Sequence, residues 1–133
     1  MGSLIDTSIL VDAERGRIVL SDHVPADDDG FYISVVTASE LWHGLHRAVK
    51  PGIRNQRAAF LEEMMDRFPM IPIDLPVARA HSRIWADLAI AGRMIGMNDL
   101  WLAATCIAHG LVMVTANVRE FERVPGLSID LWK

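Results

Sequence analysis

The sequence predicts an α/β protein built on a mainly parallel sheet, on three observations. Short runs of β-branched and aromatic residues alternate along the chain with longer segments whose apolar residues recur at helical spacing. Proline and glycine fall at the boundaries between them. No internal repeat or low-complexity segment interrupts the alternation. Strands that take turns with helices pair in parallel, because each helix carries the chain back to the start of the next strand.

Residues 3–5 form a short buried strand with Asp6 at its end. Thr7 to Ala13 follows as a short helix, and the proline, glycine and charges of Pro25-Ala-Asp-Asp-Asp-Gly30 mark a loop. Phe31 to Val36 has strand composition. Thr37 to Val49 carries Ala38, Leu41, Trp42, Leu45 and Val49 at helical spacing, with Pro51-Gly52 ending it. A further helix spans Gln56 to Arg67, with Phe60, Leu61, Met64 and Met65 on one face. Ile71-Pro-Ile73 is a strand whose proline places it at an edge or a strand end. Pro76 opens the next helix; its stripe is Val77, Ala80, Ile84, Leu88 and Ala91, and Gly92 ends it. Asn98 caps a nearly all-apolar, hence buried, helix through His109, closed by Gly110. Val112 to Thr115 and Leu127 to Leu131 are the last strands.

The 133 residues are read as one domain, 1–133, able to bury a real core. With 51% hydrophobic and 23% charged residues the chain is globular and not disordered. A net charge of −4 excludes a surface that binds nucleic acid everywhere, but leaves room for a local basic patch. Arg47, Lys50, Arg54 and Arg57 offer one; they equally suit a solvated helix end and loop. Cys106 is the one cysteine, so no intrachain disulfide forms, and a buried, inert thiol in a reducing compartment is expected. No apolar run reaches the roughly 18 residues of a membrane span. The N-terminus lacks signal-peptide features, and Asp6 occupies the position where a myristoylation motif needs Ser or Thr. The expected compartment is the cytoplasm, with no membrane partner.

The chemistry lies in four islands: Leu-Ile-Asp6-Thr7-Ser8, Thr37-Ala-Ser-Glu40-Leu, Asn98-Asp99-Leu, and Thr115-Ala-Asn117-Val-Arg-Glu120-Phe. Three of the four follow predicted strands, and ligands of open α/β sheets sit at the carboxyl ends of strands. Ionised carboxylates gathered there repel one another unless a cation offsets the charge. Such hard oxygen donors suit Mg²⁺ or Mn²⁺, and a pair of such ions can activate water and stabilise both oxygens of a phosphodiester exchange. Each acid also has a structural reading. Thr37-x-x-Glu40 fits a helix capping box, Asp99 suits the first turn of a helix, and Asp6 suits an N-cap. Thr7 and Thr115 either orient ligands or water, or satisfy a helix start and a strand end.

Asp6-Thr-Ser-Ile-Leu, Thr37-x-x-Glu40-Leu-x-x-Gly44, Ile95-Gly-x-Asn-Asp99-Leu-x-x-Ala-Ala, Thr115-x-Asn117-x-x-Glu-Phe and Val124-Pro-Gly-Leu together resemble the PIN-domain ribonucleases, above all the VapC-type toxins. The likeness runs over almost the whole chain, in family order. It implies about five strands in the order 3-2-1-4-5 and a Mg²⁺- or Mn²⁺-dependent endoribonuclease that hydrolyses RNA through a metal-activated water. It also implies a homodimer and a small cognate VapB-type antitoxin, here expected to lay an amphipathic peptide in an apolar groove and present a basic side chain to the acidic pocket. Carried over by position, Asp6, Glu40 and Asp99 are the acidic ligands. The fourth site falls on Asn117, where many relatives carry Asp; Glu120 stands three residues on and could compensate.

Other classes fit less well. A haloacid-dehalogenase-like phosphatase needs an aspartate where Ser8 stands, and a receiver domain needs a lysine after a late strand. Glu40-x-x-His43 has di-iron spacing but no second copy. The non-enzyme alternative is a PIN-like module that binds RNA or protein without catalysis, favoured by Asn117. His43 and His46 are expected in solvent, His81 and His109 in structural roles. Trp42, Trp85 and Trp101 are expected in the core or at a dimer interface.

Overall fold

The computed structural model describes residues 2–28 and 30–133. Met1, where the chain-start reading begins, and Asp29 of the Pro25–Gly30 loop lie outside the described residues. The strands are β1 (Ser3–Ile5), β2 (Phe31–Ser34), β3 (Met70–Ile71), β4 (Val112–Thr115) and β5 (Ile129–Leu131). The helices are α1 (Thr7–Glu14), α2 (Val35–Arg47), α3 (Pro51–Arg67), α4 (Leu75–Ala91) and α5 (Met97–His109). The sheet runs β3-β2-β1-β4-β5 with every pair parallel, the expected order.

That order decides where a site can form. The chain starts in the middle of the sheet, winds outward through β2 and β3, then crosses back to β4 and β5. The crevice at such a reversal is where open α/β sheets bind ligands. Here it opens between β1 and β4, which pair Leu4 with Met113 and Ile5 with Val114. The Asp6 amide continues the ladder onto the Val114 carbonyl at 2.8 Å. Asp6 and Thr115 are therefore neighbours because of register, despite 109 positions between them.

Strand alternation splits the core in two. Leu4 and Met113 face one side, under Val77, Ile84 and Leu88 of α4 and Leu100 and Leu102 of α5. Ile5, Ile33 and Val114 face the other, with Ile9 and Leu10 of α1 and Met64 of α3. Both faces are covered, which is why the strands read as continuous apolar runs. Among the described residues, no helix is long and apolar enough to cross a membrane.

Several boundaries differ from expectation. The strand over 31–36 stops at Ser34, because its Oγ accepts the Val36 amide at 3.0 Å and caps α2. Thr37 and Glu40 thus lie inside the helix, and the capping box does not form. Ser34→Ala should cost about 1 kcal/mol, read as a lower urea midpoint at unchanged slope. Pro51 does not merely end one helix; it opens α3, five residues earlier than Gln56, since its missing N–H is tolerated in a first turn. Asn98 lies within α5, whose N-cap is Gly96. The edge strand β3 stops at Ile71, before Pro72, and β5 begins at Ile129. Trp42 and Trp85 are 42% and 53% exposed and so are not core residues; Trp101 is half-buried and Trp132 buried. Cys106 is buried, and burial pushes its thiol far up, as expected of an inert cysteine.

Candidate functional site

Asp6 sits at the turn from β1 into α1, 5% exposed. Its Oδ2 accepts from the Ser8 hydroxyl at 2.7 Å and the Thr115 hydroxyl at 2.8 Å. Ser8 Oγ also takes the Ala116 amide at 3.3 Å, which ties the start of α1 to the end of β4. Burial raises the Asp6 pKa; the two hydroxyls and the amides of Thr7 and Ser8 oppose this without cancelling it.

Glu40 projects from the second turn of α2. The Thr7 hydroxyl donates to its Oε1 at 2.7 Å and lies 3.0 Å from the fully buried Thr37 hydroxyl. Thr7 therefore does more than start a helix: it fixes one Glu40 oxygen from the neighbouring element.

Asp99 enters from the first turn of α5. Desolvation, a hydrogen bond to Glu120, and the charges of Asp6, Glu120 and Glu40 push its carboxyl up to about 8. Glu120 moves the other way, held down by the Asp99 hydrogen bond and by the Gly96 amide at 3.3 Å from its Oε2. The proton of the pair thus rests on Asp99. Gly96 lies between them: a Cβ there would stand 3.6 Å from Glu120 Oε2 and 3.7 Å from Asp99 Oδ2.

Asn117 is exposed, and its Oδ1 accepts the Arg119 amide at 3.3 Å. The amide oxygen is spent on a local turn, whereas Glu120 brings a carboxylate against Asp99. Thr115 supports both ends of this segment, accepting the Asn117 amide at 3.0 Å while donating to Asp6.

These groups line one cleft of about 320 Å³, with Asp6, Ser8, Glu40, Asp99, Asn117 and Glu120 on its walls. All the expected acidic positions meet there, without histidine or cysteine. Among the described residues, no three His, Cys, Asp or Glu side chains form a ready ligand cage. The hydrogen bonds go with this: hydroxyls hold Asp6 and Glu40, and protonated Asp99 bonds to Glu120. The donor set is nonetheless hard oxygen throughout and fits Mg²⁺ or Mn²⁺. A carboxyl that keeps its proton to about 8 beside three other acids marks a charge deficit that a divalent cation would fill.

Ser8 escaped the sequence reading as a site residue, though a serine two positions after an aspartate is well placed for local hydrogen bonding. Removing either hydroxyl leaves Asp6 Oδ2 short of a donor. Ser8→Ala and Thr115→Val should each weaken Mn²⁺ binding by roughly 10- to 100-fold, measured by calorimetry.

Of the basic stretch, Arg47 and Arg57 line a second cavity of about 230 Å³ that shares Val11 and Glu40 with the acidic cleft. Arg57 is pinned, its Nε 3.4 Å from Glu14 and its Nη1 donating to the Gly44 carbonyl at 3.1 Å. Lys50 and Arg54 are exposed and do not line it. His43 and His46 are exposed, as expected. His81 stacks on Trp101 at 3.5 Å, and His109 pairs with Asp74 at 3.1 Å.

The PIN domain family model matches residues 3–127. Ribonuclease VapC1 of Rickettsia felis is 34% identical over 129 residues, 97% of this chain and 95% of that protein. A protein of Salmonella typhimurium called tRNA(fMet)-specific endonuclease VapC is 35% identical over 100 residues, 75% of this chain and 74% of its own. The crystal structure of DNA-bound VapBC from Salmonella typhimurium superposes with a TM-score of 0.91 at 27% identity, over 100% of both chains.

Proposed function

The chain belongs to the PIN-domain family, and from that premise we propose that it is a divalent-metal-dependent endoribonuclease, the toxin of a type II toxin–antitoxin pair, with residues 1–133 forming one PIN domain. One observation carries the reading: carboxylates from three separate elements and the segment after β4 meet in one cleft at the reversal of strand order.

In this reading Asp6, Glu40 and Asp99 hold Mg²⁺ or Mn²⁺, and Glu120 supplies the fourth carboxylate beside Asp99, with Asn117 at the rim. A cation bound there supplies Lewis-acid stabilisation of the phosphate charge and a more acidic water. The chain's own part is positional. Ser8 and Thr115 hold Asp6 from one side, and Thr7 holds Glu40 from another. Hydroxyl donors fix each carboxylate without bringing in a positive charge that would compete with a metal ion.

The substrate is RNA. Transfer RNA is the first kind to test, given the relative called tRNA(fMet)-specific. The partner is a VapB-type antitoxin, since the matching Salmonella structure is a VapBC assembly; an amphipathic antitoxin segment presents a basic side chain to the acidic cleft. A second copy covers exposed apolar residues such as Trp85 and Ile90 of α4, 53% and 88% exposed. Sedimentation should give a dimer that Trp85→Ser weakens. The cytoplasm suits a chain with one cysteine.

Purified protein with Mg²⁺ or Mn²⁺ should cut total cellular RNA into discrete products that EDTA abolishes. A broad RNA panel left intact by metal-loaded protein would overturn the reading. The catalytically inactive module draws its support from Asn117, and a Mn²⁺ titration separates the two, because an inactive site should bind the ion weakly or not at all.

A further inference from the structure

The acidic cleft continues past Glu40 and Val11 into the 230 Å³ cavity between α1, α2 and α3, and the chemistry of the walls changes there. Arg15, at the end of α1, and Arg47, at the end of α2, stand at its rim. Both are exposed, and neither makes an ion pair among the described residues. Phe60, partly buried, and Leu41 form an apolar wall.

Gly44 is the informative residue. It lies in the interior of α2, where glycine weakens a helix relative to alanine. A Cβ built there meets nothing within 4 Å. Packing within the chain therefore does not require the glycine. It lines the cavity, and its missing side chain keeps the cavity open.

We propose that this cavity is the seat of a nucleotide next to the scissile phosphate, with its base against Phe60 and the strand's phosphates drawn by Arg15 and Arg47. The proposal rests on the ribonuclease reading and deepens it. A polyanion approaching the carboxylates of the cleft is repelled, and the guanidinium groups of the adjoining cavity supply the local attraction that a chain of net charge −4 otherwise lacks. An aromatic face accepts any base by stacking. The two cavities share Glu40, so a strand seated in one would be carried directly into the other.

The test uses a short, labelled single-stranded RNA of mixed sequence and fluorescence anisotropy, on an Asp99→Asn background so that the probe survives. Gly44→Leu adds a helix-favouring side chain into open space; it should raise the melting temperature yet weaken RNA binding by about tenfold or more. Phe60→Leu keeps the apolar volume but removes the ring, and should weaken binding by about fivefold. Arg15→Gln and Arg47→Gln should each lower the slope of log affinity against log salt by about 0.7, while Arg83→Gln, an exposed arginine of α4, should not. Folded Gly44→Leu that binds the probe like the parent, with unchanged salt slopes in both arginine variants, overturns the proposal. So does loss of antitoxin binding by these variants with RNA binding intact, which assigns the cavity to the protein partner. Parallel cleavage assays in the native background keep the two readings apart. RNA bound through the cavity but never cut would sink the nuclease reading alone, and cutting unaffected by the cavity variants would sink the cavity alone.

Discussion

Asp99→Asn should reduce RNA cleavage by more than about a hundredfold, beyond the 10- to 100-fold typical of outer-shell partners, and should at the same time stabilise the metal-free protein. The two effects share one origin. Asp99 is pushed up to about 8 by desolvation, its bond to Glu120, and the charges of Asp6, Glu120 and Glu40. The folded state therefore binds a proton that the unfolded chain, with Asp near 3.8, has released. Stability rises with pH only where the unfolded state binds more protons. Here the folded state binds more, so stability falls as pH climbs from about 4 to about 8. Asparagine keeps the neutral shape without that penalty. Asp99 is only about half-buried, so the effect is discounted for screening; a gain of about 3 °C in melting temperature near neutral pH is a reasonable scale. Calorimetry with EDTA present decides the matter. A variant melting below the parent near pH 8 would mean that the acidic cleft is not under electrostatic load.

What the sequence disclosed divides along physical lines. Periodicity and punctuation located the five strands and the five α-helices, because burial patterns are local. The resemblance supplied the strand order, which local pattern does not contain. Helix starts were read late where a cap was concealed. Val35 and Val36 look like strand, yet Ser34 caps them into α2. Asn98 is a good cap by type, but Gly96 occupies that position. Asp6, Glu40 and Asp99 were legible as a group because like charges at strand ends and a helix start need a common explanation. Ser8, Arg15 and Phe60 were not, because what they line depends on how α1, α2 and α3 pack. Trp42 and Trp85 show the limit of the same signal: an apolar spacing says that a stripe exists, not whether the docked helix buries it in the core, and here both lie outside the core.

The acid–base state of the cleft leads to the second large effect, a steep pH dependence of metal binding. A cation entering the cleft must displace the proton that Asp99 keeps to about 8. Asp6, also raised by burial, reinforces the competition. Ligands bind metal deprotonated, so binding releases protons. Mn²⁺ affinity should rise close to tenfold per pH unit below about 8 and flatten above it. Titration at neutral pH in buffers of different ionisation enthalpy should show about one proton released per ion bound. Metal and pH should also act on stability together. Added Mn²⁺ should raise the melting temperature more near pH 8, where Asp99 is giving up its proton, than near pH 5, where that proton already offsets part of the cleft's charge. His43 and His46 are exposed on α2, the helix that carries Glu40, so the control matters. In Asp99→Asn the slope should fall toward zero while the histidines remain. A slope that survives in that variant would assign the proton to another group. A flat Mn²⁺ affinity from about pH 6 to 8 in the parent would mean that the Asp99 proton and the cation do not compete for the same oxygens.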